Sequence, residues 1–286
     1  MTIHVVKKGE TLSGIASSYG VSENFLAIWN AISEPYTLVV GQALLILTPS
    51  GTYTVRAGDT IASIAARFGT TARELFANNP NLYGGILPIF QGQTLVLGWE
   101  EKKTDTVRIN SYAYPFITDE ALYGTLPYLT FLSPFTYGFT PQGELIPLDD
   151  ERLILSAFSY GASPLMHLST LTKEGTFSNE LASAVLRDNN AADTLISNIL
   201  ENIQEKDYYG LDIDFEYVLP ADAAAYAAFI EKAKIRLNEA GYPVIAALVP
   251  KSSRDQTGAF YEGHDYAAIG AAANAVFVMT YEWVCR

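Results

Sequence analysis

Cysteine is almost missing from this 286-residue chain. Cys285 stands alone, which excludes an internal disulfide framework and any multi-cysteine metal site. Histidine is scarce as well: His4, His167 and His264 are too scattered to suggest a metal site, and no cofactor is expected. Basic residues are few, with 18 Lys+Arg against 31 Asp+Glu and a net charge of -13. No Lys/Arg cluster offers a cationic stripe, so a nucleic-acid partner is not expected. Neutral polymers such as glycans are not excluded by that charge. Long apolar runs are lacking too. The longest, Tyr266 to Tyr281, is broken by Gly270 and Asn274 and falls short of the ~20 residues of a spanning helix. Met1 to Gly9 shows no basic start followed by an apolar run, so no export signal is expected. What the chain does have is a core: 49% of residues are apolar and 17% charged, a folding composition rather than a disordered one.

The N-terminal third is a repeat. Residues 4–30 return as residues 53–79, with Val6/Val55, Gly9/Gly58, Thr11/Thr60, Ile15/Ile64, Ala16/Ala65, Gly20/Gly69, Leu26/Leu75 and Asn30/Asn79 identical. Gly41-Gln42 returns slightly late as Gly92-Gln93, as a loop insertion would do. A period near 50 points to small tandem modules. In each copy a short strand leads to Gly-Glu/Asp-Thr. An apolar stripe follows at helical spacing: Leu12, Ile15, Ala16 and Tyr19, then Ile61, Ile64, Ala65 and Phe68. Gly20 and Gly69 suit helix C-termini. Second helices open at Ser22 and Thr71, and Thr71 with Glu74 has capping-box spacing. A last strand follows each Gly-Gln pair. Two βααβ modules are therefore expected at 1–49 and 50–99, and a polar linker at 100–106.

These units resemble LysM domains on the residues at 9–12 and 58–61, Tyr19-Gly20 and Phe68-Gly69, Asn30 and Asn78-Asn79-Pro80, and the two Gly-Gln pairs. The resemblance implies binding of N-acetylglucosamine-containing glycans in a shallow groove. It would be formed by Gly9, Glu10, Thr11 and Leu12 with Leu38–Val40 in the first copy. In the second it would be formed by Gly58, Asp59, Thr60 and Ile61 with Ile86–Phe90. The same glycines and threonines could equally serve only to shape turns and caps.

From Val107 onward strand and helix patterns alternate, which predicts a parallel sheet of βα units. Six candidate strands are Val107–Tyr114, Tyr128–Tyr137, Pro164–Ser169, Tyr208–Tyr217, Val244–Val249 and Ala275–Tyr281. Helices are expected at Asp193–Ile203 and Ala223–Glu239, and a hairpin at Gly138–Leu148. In the fourth strand, period-two geometry puts Leu211, Ile213 and Phe215 on one face and Asp212, Asp214 and Glu216 on the other. Carboxylates so close cannot all ionise cheaply, so at least one pKa should rise. A carboxyl kept protonated near neutrality suits general-acid cleavage of a glycosidic bond. A solvated acidic strand face is the plain alternative.

Gly210-Leu211-Asp212-Ile213-Asp214-Phe215-Glu216 resembles the signature of glycoside hydrolase family 18, with Tyr209 in place of its leading Asp. Met279-Thr280-Tyr281-Glu282-Trp283 resembles that family's sixth-strand motif, with Glu282 for Asp. The family's Ser-x-Gly-Gly on the third strand is absent; that strand reads Leu165-Met166-His167-Leu168-Ser169. With the LysM-like copies, the chain is similar to the LysM-bearing cortex-lytic N-acetylglucosaminidases of endospore-forming bacteria. The resemblance implies an α/β fold, residues 107–286 forming part of a (β/α)8 barrel. It implies a substrate-assisted retaining mechanism with Glu216, Asp214, Asp212 and Tyr281 as catalytic residues. Met279, Tyr112 and Trp283 would meet the substrate, although barrel filling explains Met279 and aromatic packing explains Tyr112 and Trp283 as well. His167 reads as a core histidine. The implied partner is peptidoglycan or another N-acetylglucosamine polymer, and the implied location is the spore coat, cortex or cell wall. The stretch after Asp105 is shorter than the ~200-residue low end for such barrels. Strands seven and eight have no candidate sequence, so a truncated chain of little activity and raw sheet edges is expected. A non-catalytic glycan-binding protein and a chitinase are the alternative readings.

Overall fold

In the computed structural model of the chain, residues 2–100, 105–253, 256–258 and 261–279 are described. The chain divides into two compact units, one of residues 1–108 with 118–128 and one of residues 109–117 with 129–286.

The first unit opens with β1 (Thr2–Val5), α1 (Leu12–Tyr19), α2 (Glu23–Trp29) and β2 (Ala43–Ile46). The same series returns as β3 (Pro49–Thr54), α3 (Ile61–Phe68), α4 (Ala72–Asn78) and β4 (Thr94–Trp99). The strands pair antiparallel within each copy, so both are βααβ modules. The helix starts follow from side-chain chemistry. Thr11 Oγ1 accepts from the Gly14 amide at 3.1 Å. Thr60 with Ser63, and Thr71 with Glu74, cap reciprocally. Leu12, Ile15, Leu26 and Leu44 fill one core, and Ile64, Leu75, Leu82 and Leu95 the other. Tyr19 and Phe68, on the same helical stripes, are exposed instead. In each module a corresponding asparagine locks the second helix to the last strand. Asn79 is buried; its amide donates to the Leu75 and Val96 carbonyls at 2.8 and 2.9 Å and accepts from the Val96 amide at 2.8 Å. Asn30 does the same with Leu26 and Leu45.

Helix α5 (Asp119–Thr125) groups with this unit. Gly84 makes its approach possible. At φ +62° its α-carbon lies so near that an added Cβ would sit 2.0 Å from the Tyr123 carbonyl oxygen, a position open to glycine alone.

The second unit is a six-stranded parallel sheet. Its strands are β5 (Asn110–Ala113), β6 (Phe131–Pro134), β9 (Ser163–Ser169), β10 (Gly210–Asp214), β11 (Val244–Leu248) and β12 (Ala275–Val278). They lie side by side in chain order, as in an incomplete (β/α)8 barrel. A small hairpin, β7 (Gly138–Phe139) with β8 (Leu145–Ile146), stands where the Gly138–Leu148 insertion was expected. The helices are α6 (Glu151–Ser159), α7 (Asn179–Arg187), α8 (Asn189–Glu205), α9 (Ala223–Glu239) and α10 (Tyr266–Ala272). The alternation of the strands sets the layers. Met166, Leu168, Leu211, Ile213 and Phe215 share one core with Leu195, Ile196 and Ile199 of α8 and Tyr226, Phe229 and Ile230 of α9. Each such burial contributes about 1.5–3 kcal/mol. Several strands are shorter than expected, and α7 was not foreseen. The expected Tyr208–Tyr217 strand ends at Asp214, because the chain turns at Glu216 and Tyr217.

Candidate active site

With the apolar face of β10 turned to the helices, Asp212 and Asp214 point to the other side of the sheet. Both are buried, at 0% and 2% exposure. Glu216 is half-buried in the turn two residues beyond. These groups stand at the C-terminal end of the fourth parallel strand, the edge at which barrels of this type carry their chemistry.

The neighbouring strands supply their partners. Ser133 on β6 donates to Asp212 Oδ2 at 3.2 Å. The Tyr112 hydroxyl on β5 also favours the ionised form of Asp212. On β9, His167 sits opposite Asp212 in the parallel register, and its Nε2 lies 3.2 Å from Asp214 Oδ2. Burial pushes the Asp212 carboxyl up to about 6. The charge of Asp214 adds to that, while His167 and the Ser133 and Tyr112 hydroxyls pull it down. Among the described residues, Oδ1 of Asp212 and Oδ1 of Asp214 have no hydrogen-bond partner. Two acids thus each keep one buried acceptor edge in reserve.

The turn that bears Glu216 is held from below. His264 is buried, and its Nε2 lies 2.9 Å from the Phe215 carbonyl and 3.2 Å from that of Glu216. Burial holds its pKa below the usual imidazole value, so the neutral ring donates through Nε2. Gly263 brings the loop in: a Cβ there would meet the Val218 carbonyl at 2.0 Å. Beside it lies a cavity of about 510 Å³ lined by Lys251, Ser252, Glu262, His264, Asp265 and Tyr266.

Tyr112, read from the sequence as a possible substrate contact or as aromatic packing, lies beside the acids; its ring meets His167 edge-on at 4.7 Å and Phe277 at 5.8 Å. Met279 is buried with Ala247 and Val249, on the interior side of the sheet. Tyr281 and Trp283 lie outside the described residues. Ser133, Thr136 and His264 were not singled out from the sequence, and His167 was read only as core. For His167 a signal existed. It alternates with Met166 and Leu168, so it shares the inward side of its strand with Ser169, but the register that places it beside the acids is not written in either strand alone.

In the modules, the loop residues are tied to their own turns. The Glu10 carboxylate accepts from the Lys7 amide at 2.7 Å and meets His4 Nε2 at 2.9 Å. The Lys7 amide first, then His4, lowers its pKa. Asp59 accepts from the Tyr53 hydroxyl at 2.6 Å and the Arg56 amide at 2.8 Å, and Tyr53 is the main cause of its lowered pKa. Thr11 and Thr60 cap helices, Leu12 is core, Ile61 packs against the core, and Gly9 and Gly58 take φ of 87° and 82°. Val39, Val40, Ile86, Leu87 and Phe90 are exposed.

Comparison with known proteins agrees with these features. The LysM domain family matches residues 4–47 and 53–98, and glycosyl hydrolases family 18 matches residues 173–285. The chain belongs to the LysM-bearing members of glycosyl hydrolase family 18. It is 35% identical over 304 residues to the cortical fragment-lytic enzyme of Bacillus subtilis strain 168, covering 99% of this chain and 66% of that one. Among solved structures it is similar to the spore cortex-lytic enzyme SleL of Bacillus megaterium QM B1551. The TM-score is 0.72 and the identity 33%, with 98% of this chain and 66% of that chain covered. The SleL of Bacillus cereus is as similar, at TM-score 0.72 and 32% identity, with 99% and 65% covered. The chain therefore spans just under two thirds of the length of these relatives.

Proposed function

We propose that this protein is a peptidoglycan-directed glycoside hydrolase of the N-acetylglucosaminidase type, held on its polymer by the two LysM modules and acting at the spore cortex or cell wall. The observation that carries this reading is the pair of buried acids on β10 with Glu216 just beyond them. The names of the cortex-lytic relatives support the choice of polymer. Glu216 protonates the leaving glycosidic oxygen as the C1–O bond breaks. The carbonyl oxygen of the substrate's own acetamido group forms the new bond to C1, with retention after water completes the cycle. Asp214 accepts from the acetamido N–H as positive charge develops there, and Asp212 tunes Asp214. Tyr281 is assigned to the acetamido oxygen by its motif.

The test is Glu216→Gln. It should lower hydrolysis of N-acetylglucosaminyl bonds by about 10²–10⁴-fold, the usual loss for a general acid, and leave retention on insoluble peptidoglycan unchanged. Asp214→Asn should slow turnover as well. Near-normal turnover by Glu216→Gln would place the acid elsewhere.

A further inference from the structure

His167 is fully buried and has both ring nitrogens engaged. Nε2 lies 3.2 Å from Asp214 Oδ2 and Nδ1 lies 2.7 Å from Thr136 Oγ1. A carboxylate can only accept, so Nε2 must hold a proton whenever Asp214 is ionised. The Thr136 hydroxyl, which also reaches the Tyr137 carbonyl at 3.1 Å, can donate its one proton to a bare Nδ1, and the neutral Nε2–H tautomer is then satisfied. Thr136 is itself within 3.0 Å of Ser169 Oγ. The ring plane is fixed by Tyr112 and Phe135, each with centroids at 4.7 Å. The titratable groups facing it are Asp214 and Asp212 from β10 and Tyr112 from β5.

A ring that only filled space would need neither a carboxylate on one nitrogen nor a hydroxyl on the other. Two neighbouring buried carboxyls, by contrast, need a donor if one is to stay ionised, because like charges in a dry site drive a proton onto one of them. We propose that His167 is a positioning residue for Asp214. Its Nε2–H binds the Oδ2 edge, fixes the orientation of the Asp214 carboxylate, and reserves Oδ1 for the substrate's acetamido N–H. Asp212 is then the member of the pair that takes the proton as the pH falls through about 6. The catalytic meaning of this arrangement rests on the reading of Asp214 given above.

The test has two arms on the same full chain. With three histidines in the sequence, long-range ¹H–¹⁵N spectra resolve few ring signals. His167 should appear as the Nε2–H tautomer, and Asp214→Asn should change its ring nitrogen shifts. In the second arm, His167→Gln offers an amide N–H in the region of Nε2 and His167→Leu offers none. Loss of one charge-assisted hydrogen bond predicts a fall in kcat of about 10–100-fold for His167→Leu, with KM within about twofold and most of the rate kept by His167→Gln. An Nδ1–H ring that ignores Asp214→Asn would overturn the proposal, and so would equal losses in folded Gln and Leu variants. If His167→Leu does not fold, the spectra and the Gln variant decide. A wild-type chain with the coupled ring but no hydrolysis would count against the hydrolase reading and leave the His167–Asp214 couple standing.

Discussion

Asp212 shows what a buried acid costs the fold. Its carboxyl, buried beside Asp214, is raised from 3.8 to about 6. A carboxyl raised on folding contributes stability that is present below its unfolded pKa, near 4, and is lost as pH rises through about 6. At pH 7 its buried charge therefore costs up to about 3 kcal/mol. Asp212→Asn should raise the urea midpoint at pH 7 relative to wild type, and that advantage should shrink towards zero at pH 4. Comparing the two proteins at each pH cancels the titration of the other groups. A gap of the same size at both pH values would mean that Asp212 is not the residue that titrates. The same variant should slow hydrolysis, since Asp212 would no longer tune Asp214.

At the level of the element, two kinds of polar contact shape a LysM module, and they differ in magnitude. The Thr71 cap satisfies one helix-end amide at the surface, and Thr71→Ala should cost about 1 kcal/mol. Asn79 makes three bonds from a buried position, and removing it leaves the Val96 amide buried without an acceptor. Asn79→Ala should cost about 2–4 kcal/mol. Thermal melting reads the total. Amide exchange at Val96 locates it, because that amide should exchange much faster in Asn79→Ala and little changed in Thr71→Ala. Similar effects from both variants would show that the asparagine is no more than a second cap.

For the whole molecule, the duplication predicts avidity. The modules share one compact unit, and Trp29 meets Trp99 edge-on at 4.3 Å across them, so their spacing is not that of a loose linker. Exposed Val40 and Leu87 flank the corresponding loops. Val40→Asp or Leu87→Asp alone should weaken retention on insoluble peptidoglycan, and the double variant should weaken it far more, by a factor in the range of about 10²–10⁴ expected for linked sites. Hydrolysis of small soluble substrates should be unaffected by either change. Full retention by the double variant would remove these loops from the binding surface.

Local pattern alone carried the repeat, the βααβ order of each copy, the six parallel strands and the helix Ala223–Glu239, because each rests on periodicity, caps and turns within a few residues. It also marked Asp212, Asp214 and Glu216, since period two puts alternate residues on one face. It could not mark Glu216 as lying past the end of its strand, nor α5 as grouping with the modules. Ser133 and His167 reach the acids from two other strands, Thr136 holds His167, and His264 holds the backbone of the turn from 48 residues beyond Glu216. Their positions depend on strand register and, for His264, on the close approach that Gly263 permits. Only the packed sheet brings a buried histidine within hydrogen-bonding distance of a buried carboxylate, because the two residues lie 47 positions apart on neighbouring strands.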